Sequence, residues 1–150
     1  MRSEDLYKVM AIAAGLPEAP HWSRSAYEKA LDPAATPPRI ALVAHDTAIN
    51  SIVGFAIACL TPPEAELETI VTALPFQRKG LARQLLALLS DELRQRAVSD
   101  LNLEVRASNE TAVMFYNSLG FAETGRRVRY YADPVEDAIL MRLMLSYKVT

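Results

Sequence analysis

The stretch from about Gly80 to Ala97 restricts the possible folds of this chain more than any other. Leu81, Leu85, Leu88, Leu89 and Leu93 recur at helical spacing, with Arg83, Gln84, Ser90, Asp91 and Arg94 outside the stripe. That pattern predicts one long amphipathic helix, and its apolar side has to be covered by another layer. Strand-like runs stand on either side of it. Upstream are Ile40–Ala44, Ile52–Leu60 and Glu64–Ala73. The second is almost continuously apolar, as in a strand covered on both faces. In the third, alternation puts Glu66, Glu68, Ile70 and Thr72 on one face and Leu67, Thr69 and Val71 on the other. Downstream, Leu101–Arg106 alternates too, with Leu101, Leu103 and Val105 opposite Asn102, Glu104 and Arg106.

The remaining elements follow from local signals. Residues 4–14 carry Leu6, Val9, Met10 and Ala13 on one helical face, stopped by Gly15 and Pro17. A short helix is expected after Ser23, through Tyr27 to Leu31, followed by a loop that Pro33, Pro37 and Pro38 keep irregular. Another runs from Asn109 or its neighbour to Leu119, with Ser108 and Asn109 as N-cap residues and Gly120 just past its end. Phe121–Tyr131 and Ala138–Tyr147 read as strands joined through Asp133-Pro134. The order predicts one domain over residues 1–150, of α/β (α+β) class, with a mixed sheet and helices on both faces. It is not the regular alternation of a doubly wound dinucleotide fold.

Composition removes several function classes. Sixteen Lys and Arg against 18 Asp and Glu argue against a protein that coats nucleic acid. With Cys59 as the one cysteine and His21 and His45 as the two histidines, no disulfide within the chain and no metal site are expected. No leader-like segment or membrane-length apolar run is visible, so a cytoplasmic setting is expected.

Three segments carry chemical potential. In Gln77-Arg78-Lys79-Gly80-Leu81-Ala82-Arg83, a glycine opens the long helix. The free N–H groups of a first turn, the positive end of the helix dipole and three basic side chains make a pyrophosphate cradle. It is neither a P-loop nor a three-glycine dinucleotide fingerprint, and a charged turn would read the same. In Leu103–Asn109, Glu104 lies near the C-terminal end of an interior strand, where a carboxylate serves as a general base. The plainer alternative is a strand-end Glu paired with Arg106. In Tyr116–Phe121, Tyr116 sits on the short helix directly after that strand, within reach of the same cleft if the two are adjacent. The alternative is an aromatic helix anchor.

Together these segments resemble the GNAT superfamily of acyl-CoA N-acyltransferases, and within it the bacterial ribosomal-protein-alanine N-acetyltransferases. Gln77, Gly80 and Ala82 fit the superfamily's Gln/Arg-x-x-Gly-x-Gly/Ala motif. Leu103–Asn109, Tyr116–Phe121, and Tyr130-Tyr131 followed by Glu136-Asp137-Ala138-Ile139 are similar to that branch's stretches at its spacing. The likeness is dense from Glu66 to Met141. It implies a mixed, mostly antiparallel sheet whose central strands splay to admit acetyl-CoA. It also implies pairing of Ile70, Val71 and Thr72 backbone with the pantetheine arm, and backbone N–H groups from Arg78 through Lys79, Gly80, Leu81 and Ala82 to Arg83 on the pyrophosphate. Asn109 would contact the pantetheine side, Glu104 would be the general base and Tyr116 the general acid. One departure is at the start: the family's first strand precedes the first helix, whereas only Met1-Arg2-Ser3 stand before Glu4. That strand is shortened, absent, or replaced at its edge by another segment. Ala82 for the commoner glycine is a second, milder departure.

The expected reaction is acetyl transfer from acetyl-CoA to a primary amine. At pH 7, deprotonation costs roughly 1 kcal/mol for an α-amine of pKa ~7.8 and roughly 4.6 kcal/mol for a lysine of pKa ~10.4. A single carboxylate suits the first better, so a protein N-terminus, in the resemblance a ribosomal one, is the leading acceptor. A lysine or small amine is the alternative, and a silent acetyl-CoA-binding sensor a third reading. Trp22, Ser23, Tyr130 and Tyr131 are candidate peptide contacts, and Glu66 a substrate contact or second base, with Glu68 the weaker of the two carboxylates. Trp22 and one tyrosine serve equally as core or rim aromatics. Arg126, Arg127 and Arg129 read first as a solvated basic face, and second as a contact for an acidic substrate or a ribosome. Cys59, inside an apolar strand, is expected to be inert.

Overall fold

The computed structural model describes residues 1–145. Its elements are α1 (Leu6–Ala14), α2 (Arg24–Leu31), β1 (Arg39–Asp46), β2 (Ser51–Thr61), β3 (Glu64–Thr72), α3 (Leu81–Gln95), β4 (Asp100–Arg106), α4 (Glu110–Ser118), β5 (Ala122–Ala132) and β6 (Val135–Met144). The expected last strand coincides with β6 over Ala138–Met144, and β6 begins earlier, at Val135; Ser146 and Tyr147 lie outside the described residues.

The strands form one sheet in the order β1-β2-β3-β4-β6-β5. All neighbours are antiparallel except β3 and β4. Those two are parallel and pair only over Glu64–Asp100, Ala65–Leu101 and Glu66–Asn102. Beyond Glu66 they part, so a gap opens between their C-terminal halves. This is the splayed, mostly antiparallel sheet expected above.

Two cores lie on the two faces. On one, α3 and α4 cover Ala56, Ala58, Leu60, Leu67, Leu101, Leu103, Val105, Ile139 and Met141. On the other, α1 and α2 cover Ile52, Phe55, Ile57 and Val71. Tyr27 and Phe55 meet edge-on at 6.2 Å at its centre. No strand forms ahead of α1. Instead Ser3–Asp5 makes a 3-10 turn and the Met1 amine donates to the Ala41 carbonyl at 3.0 Å, beside edge strand β1.

Two face assignments differ from the expected ones. In α3, Leu86 and Ser90 are buried while Leu88 is 61% exposed. Leu85, Leu89 and Leu93 centre the buried arc; at 100° per residue Leu88 falls on one outer side and Leu86 and Ser90 on the other. In β3, a bulge at Glu68 breaks the alternation, since Ile57 aligns with Thr69 and Ala58 with Leu67. The extra residue turns the following side chains over. Leu67 and Ile70 therefore face α3, and Val71 faces the other core.

Candidate active site

The turn into α3 is built for close backbone approach. Gly80 is its N-cap at φ 80, with no side-chain cap, and Arg78 also has positive φ, at 61. A Cβ added at Gly80 would meet nothing within 4 Å. Among the described residues, no backbone acceptor bonds the N–H groups of residues 78–83. Such a run of free N–H groups at a helix start attracts anions. Around it, the Gln77 amide donates to the Thr72 carbonyl at 3.1 Å, Arg83 donates to the Ser118 hydroxyl at 3.3 Å, and the Lys79 ammonium lies 5.6 Å from the Phe76 ring centre. The helix start is seated by Gly54 of β2. A Cβ there would come 2.8 Å from the Val71 carbonyl and 3.3 Å from Leu81. Sequence reading missed this glycine, although one Gly inside a strand marks a close approach.

The gap begins where β3 leaves β4. Ala73 N–H donates to the Val53 carbonyl at 2.8 Å. By the alternation of an antiparallel ladder, Val71 then exchanges bonds with its partner Phe55, and Ile70 and Thr72 turn their backbone groups towards the gap. This corrects the expectation for Val71, whose backbone already serves β2. The Thr69 and Thr72 hydroxyls are buried with no partner among the described residues, so polar capacity stands unfilled beside the gap. Asn109 caps α4 by accepting from Ala112 N–H at 3.2 Å, which leaves its amide nitrogen for a ligand.

Glu104 and Tyr116 stand on opposite sides of the sheet. Tyr116 packs with the α3–α4 core, edge-on to Phe121 at 5.4 Å, and burial pushes its pKa up to about 12. Glu104 points the other way, where α1 and α2 cover the β1–β3 side. It pairs with Arg127 at 3.3 Å, not with Arg106. The Glu104 carboxylate, as a hydrogen-bond acceptor first and by its charge second, raises the pKa of the neighbouring Tyr130 phenol. Glu66 shares this face, and desolvation followed by the charges of Glu104 and Glu68 lifts its carboxyl above the usual range. Glu68 itself is held by Arg39 at 2.8 Å. The Cys59 thiol is pushed up by burial and by Glu68, which keeps it protonated.

The other candidates divide. Tyr130 and Tyr131 meet edge-on at 5.1 Å, with Arg127 5.6 Å from the first ring and Arg106 4.1 Å from the second. The basic cluster is thus not simply a solvated face, since Arg126 pairs with Glu123 and Arg127 with the candidate base. Ser23 caps α2 through Ala26 N–H at 3.2 Å, and Trp22 lies on Tyr27 at 5.3 Å. Both belong to the α1–α2 segment on the Glu104 side of the sheet. Among the described residues, no helix is long and apolar enough to cross a membrane.

A sheet parted between two parallel strands, with an amide-lined helix start beside the opening, has the architecture of the GNAT class of acyl-CoA-dependent acyltransferases. The chain belongs to the acetyltransferase (GNAT) family, whose model matches residues 5–121, and it is an acetyl-CoA-dependent N-acetyltransferase. It is 48% identical over 102 residues to the "[Ribosomal protein bS18]-alanine N-acetyltransferase" of Salmonella typhimurium, covering 67% of this chain and 69% of that one. The crystal structure of the ribosomal-protein-S18-alanine N-acetyltransferase from Escherichia coli superposes with a TM-score of 0.78 at 34% identity, over 98% of this chain and 90% of that one. Naa20 of Chaetomium thermophilum, in complex with a bisubstrate analogue, has a TM-score of 0.84 at 24% identity over 96% and 84% of the two chains, a likeness of fold alone.

Proposed function

We propose that this chain acetylates the N-terminal α-amine of a protein, with the N-terminal alanine of a bS18-type ribosomal protein as its acceptor. The observation that carries the reading is the gap itself, which has a carboxylate, Glu104, on one face of the sheet and a phenol, Tyr116, on the other. A thioester lying in such a gap meets a base on the side from which the amine comes and a donor on the side to which sulfur leaves. The likeness to a bS18-alanine enzyme at 48% identity supports the choice of acceptor.

The roles follow. N–H groups of Arg78, Lys79, Gly80, Leu81, Ala82 and Arg83 hold the diphosphate of acetyl-CoA. Backbone groups of Ile70 and Thr72 pair with the pantetheine arm, and the Asn109 amide nitrogen adds a contact. The first amine proton passes to Glu104, directly or through a water, and on to solvent. The amine nitrogen attacks the thioester carbonyl carbon, the C–S bond breaks, and the electron pair leaves on sulfur. A second proton, lost as the amide forms, ends on that sulfur. Tyr116 hydrogen-bonds the departing thiolate. At a pKa of about 12 it keeps its own proton; against a thiol near ~8.5, full transfer is uphill by about 5 kcal/mol unless the gap raises the thiolate too. Trp22, Ser23, Glu66, Tyr130 and Tyr131 border the acceptor's path.

Thiol release from acetyl-CoA tests this, with an Ala-starting bS18-type peptide, its N-blocked form, and no peptide. Release with the free peptide alone is expected. Release with a blocked, lysine-containing peptide moves the acceptor to lysine. Acetyl-CoA binding without release on any amine makes the chain a sensor.

A further inference from the structure

Glu136 and Asp137, consecutive in β6, are tied to two segments the reaction needs. Glu136 accepts the Ser108 backbone N–H and lies 3.4 Å from the Arg106 guanidinium, so it joins the β5–β6 hairpin to the turn between β4 and α4. Its side chain is only 14% exposed. Asp137 accepts Ala107 N–H on its carbonyl at 3.0 Å and Arg129 N–H on its carboxylate at 2.9 Å. Arg129 has φ 53 and lies where β5 bulges, since Arg127 aligns with Ala138 but Tyr131 with Glu136. The bulge delivers Tyr130 and Tyr131 to the Glu104 side.

The contacts form one chain. Glu136 holds Arg106, the Arg106 guanidinium stacks on the Tyr131 ring at 4.1 Å, Tyr131 meets Tyr130 at 5.1 Å, and the Tyr130 ring lies 5.6 Å from the Arg127 guanidinium, which pairs with Glu104 at 3.3 Å. An Arg that is both paired and stacked on an aromatic face is fixed in orientation. Ser108, through its side chain and then its backbone N–H, holds the Glu136 carboxyl below the usual range, and Arg106 adds to this, so the anchor stays charged at neutral pH.

We infer that Glu136 is a positioning residue for the acceptor: through Arg106 it sets the two tyrosines over the base and so fixes where the incoming amine meets Glu104. The inference rests on the reading of Glu104 as the base and adds a residue that touches neither the base nor the amide-lined turn.

The experiment is steady-state kinetics of wild type, Glu136→Gln and Glu136→Ala with both substrates varied, together with NMR of the Tyr130 and Tyr131 rings. Glu136→Ala is expected to raise KM for the Ala-starting peptide at least tenfold, with KM for acetyl-CoA within twofold. Glu136→Gln keeps an oxygen for the Ser108 N–H and loses the charge on Arg106. It should recover part of that loss, with the Tyr131 ring signals displaced from their wild-type positions. Unchanged acceptor KM in both variants overturns the inference, as does a parallel rise in both KM values, which is the mark of a merely structural role. If Glu136→Ala does not fold, Glu136→Gln decides alone: unchanged acceptor KM and unmoved ring signals overturn it. A wild type that acetylates lysine or a small amine instead refutes the proposed acceptor, and the same variants then test positioning with that amine. If no amine is acetylated, the ring signals decide.

Discussion

Replacing Gly80 by Ala separates ligand approach from folding. At φ 80, an Ala side chain costs about 1 kcal/mol in backbone strain. Nothing within 4 Å of the new Cβ adds to that cost. For a chain of this size the melting temperature should fall by about 3 °C. Binding should suffer far more, because the Cβ stands where a diphosphate would meet the free amides of the turn. Losing one or two charge-assisted hydrogen bonds of about 1.5–3 kcal/mol each weakens acetyl-CoA at least tenfold. Gly54→Ala is the control with the opposite signature. Its Cβ would sit 2.8 Å from the Val71 carbonyl, so β2 or α3 must shift. Overpacking of that kind costs about 1–3 kcal/mol, and its stability loss should exceed its loss of affinity. Calorimetric titration with acetyl-CoA and thermal unfolding read both variants. Wild-type affinity in folded Gly80→Ala would refute the diphosphate site.

Three further outcomes are expected. Glu104→Gln should lower kcat by about 10²–10⁴ while acetyl-CoA affinity, measured by titration, stays near wild type; full activity at neutral pH would remove Glu104 as base. Tyr116→Phe should slow transfer and also change alkaline stability. The folded pKa of about 12 lies above the unfolded ~10, so the stabilisation linked to this phenol is whole below pH 10 and is lost as pH rises towards 12, by about 3 kcal/mol. Urea unfolding of both proteins at pH 9 and 11 should show a smaller drop in the variant, and equal drops would place the phenol in water. Ser23→Ala should cost about 1 kcal/mol of stability through the lost α2 cap; a raised peptide KM without destabilisation would instead make Ser23 a substrate contact.

Some of the site was legible along the chain because its determinants are local. The Gly80 turn, the helix start after Ser23, the Asn109 cap and the alternation of β4 each depend on a few consecutive residues, and each lies in the structure where its sequence signal stands. Along the chain, Glu136 stands out only as part of the hairpin stretch that resembles the family. Its hydrogen bond joins residues 28 apart in sequence, and no local pattern announces that.

The chain's own order of residues determined which segments become helix or strand and where Gly80 and Gly120 turn the backbone left-handed, since propensity, periodicity and glycine act over a single turn or pleat. Tertiary structure decided the rest. The bulge at Glu68 reversed the faces of β3, the three-residue pairing of β3 with β4 opened the gap, and Arg127 rather than Arg106 took Glu104. Register and ion pairing are set by partners far away in sequence, whose contribution exists only once the sheet has closed around them.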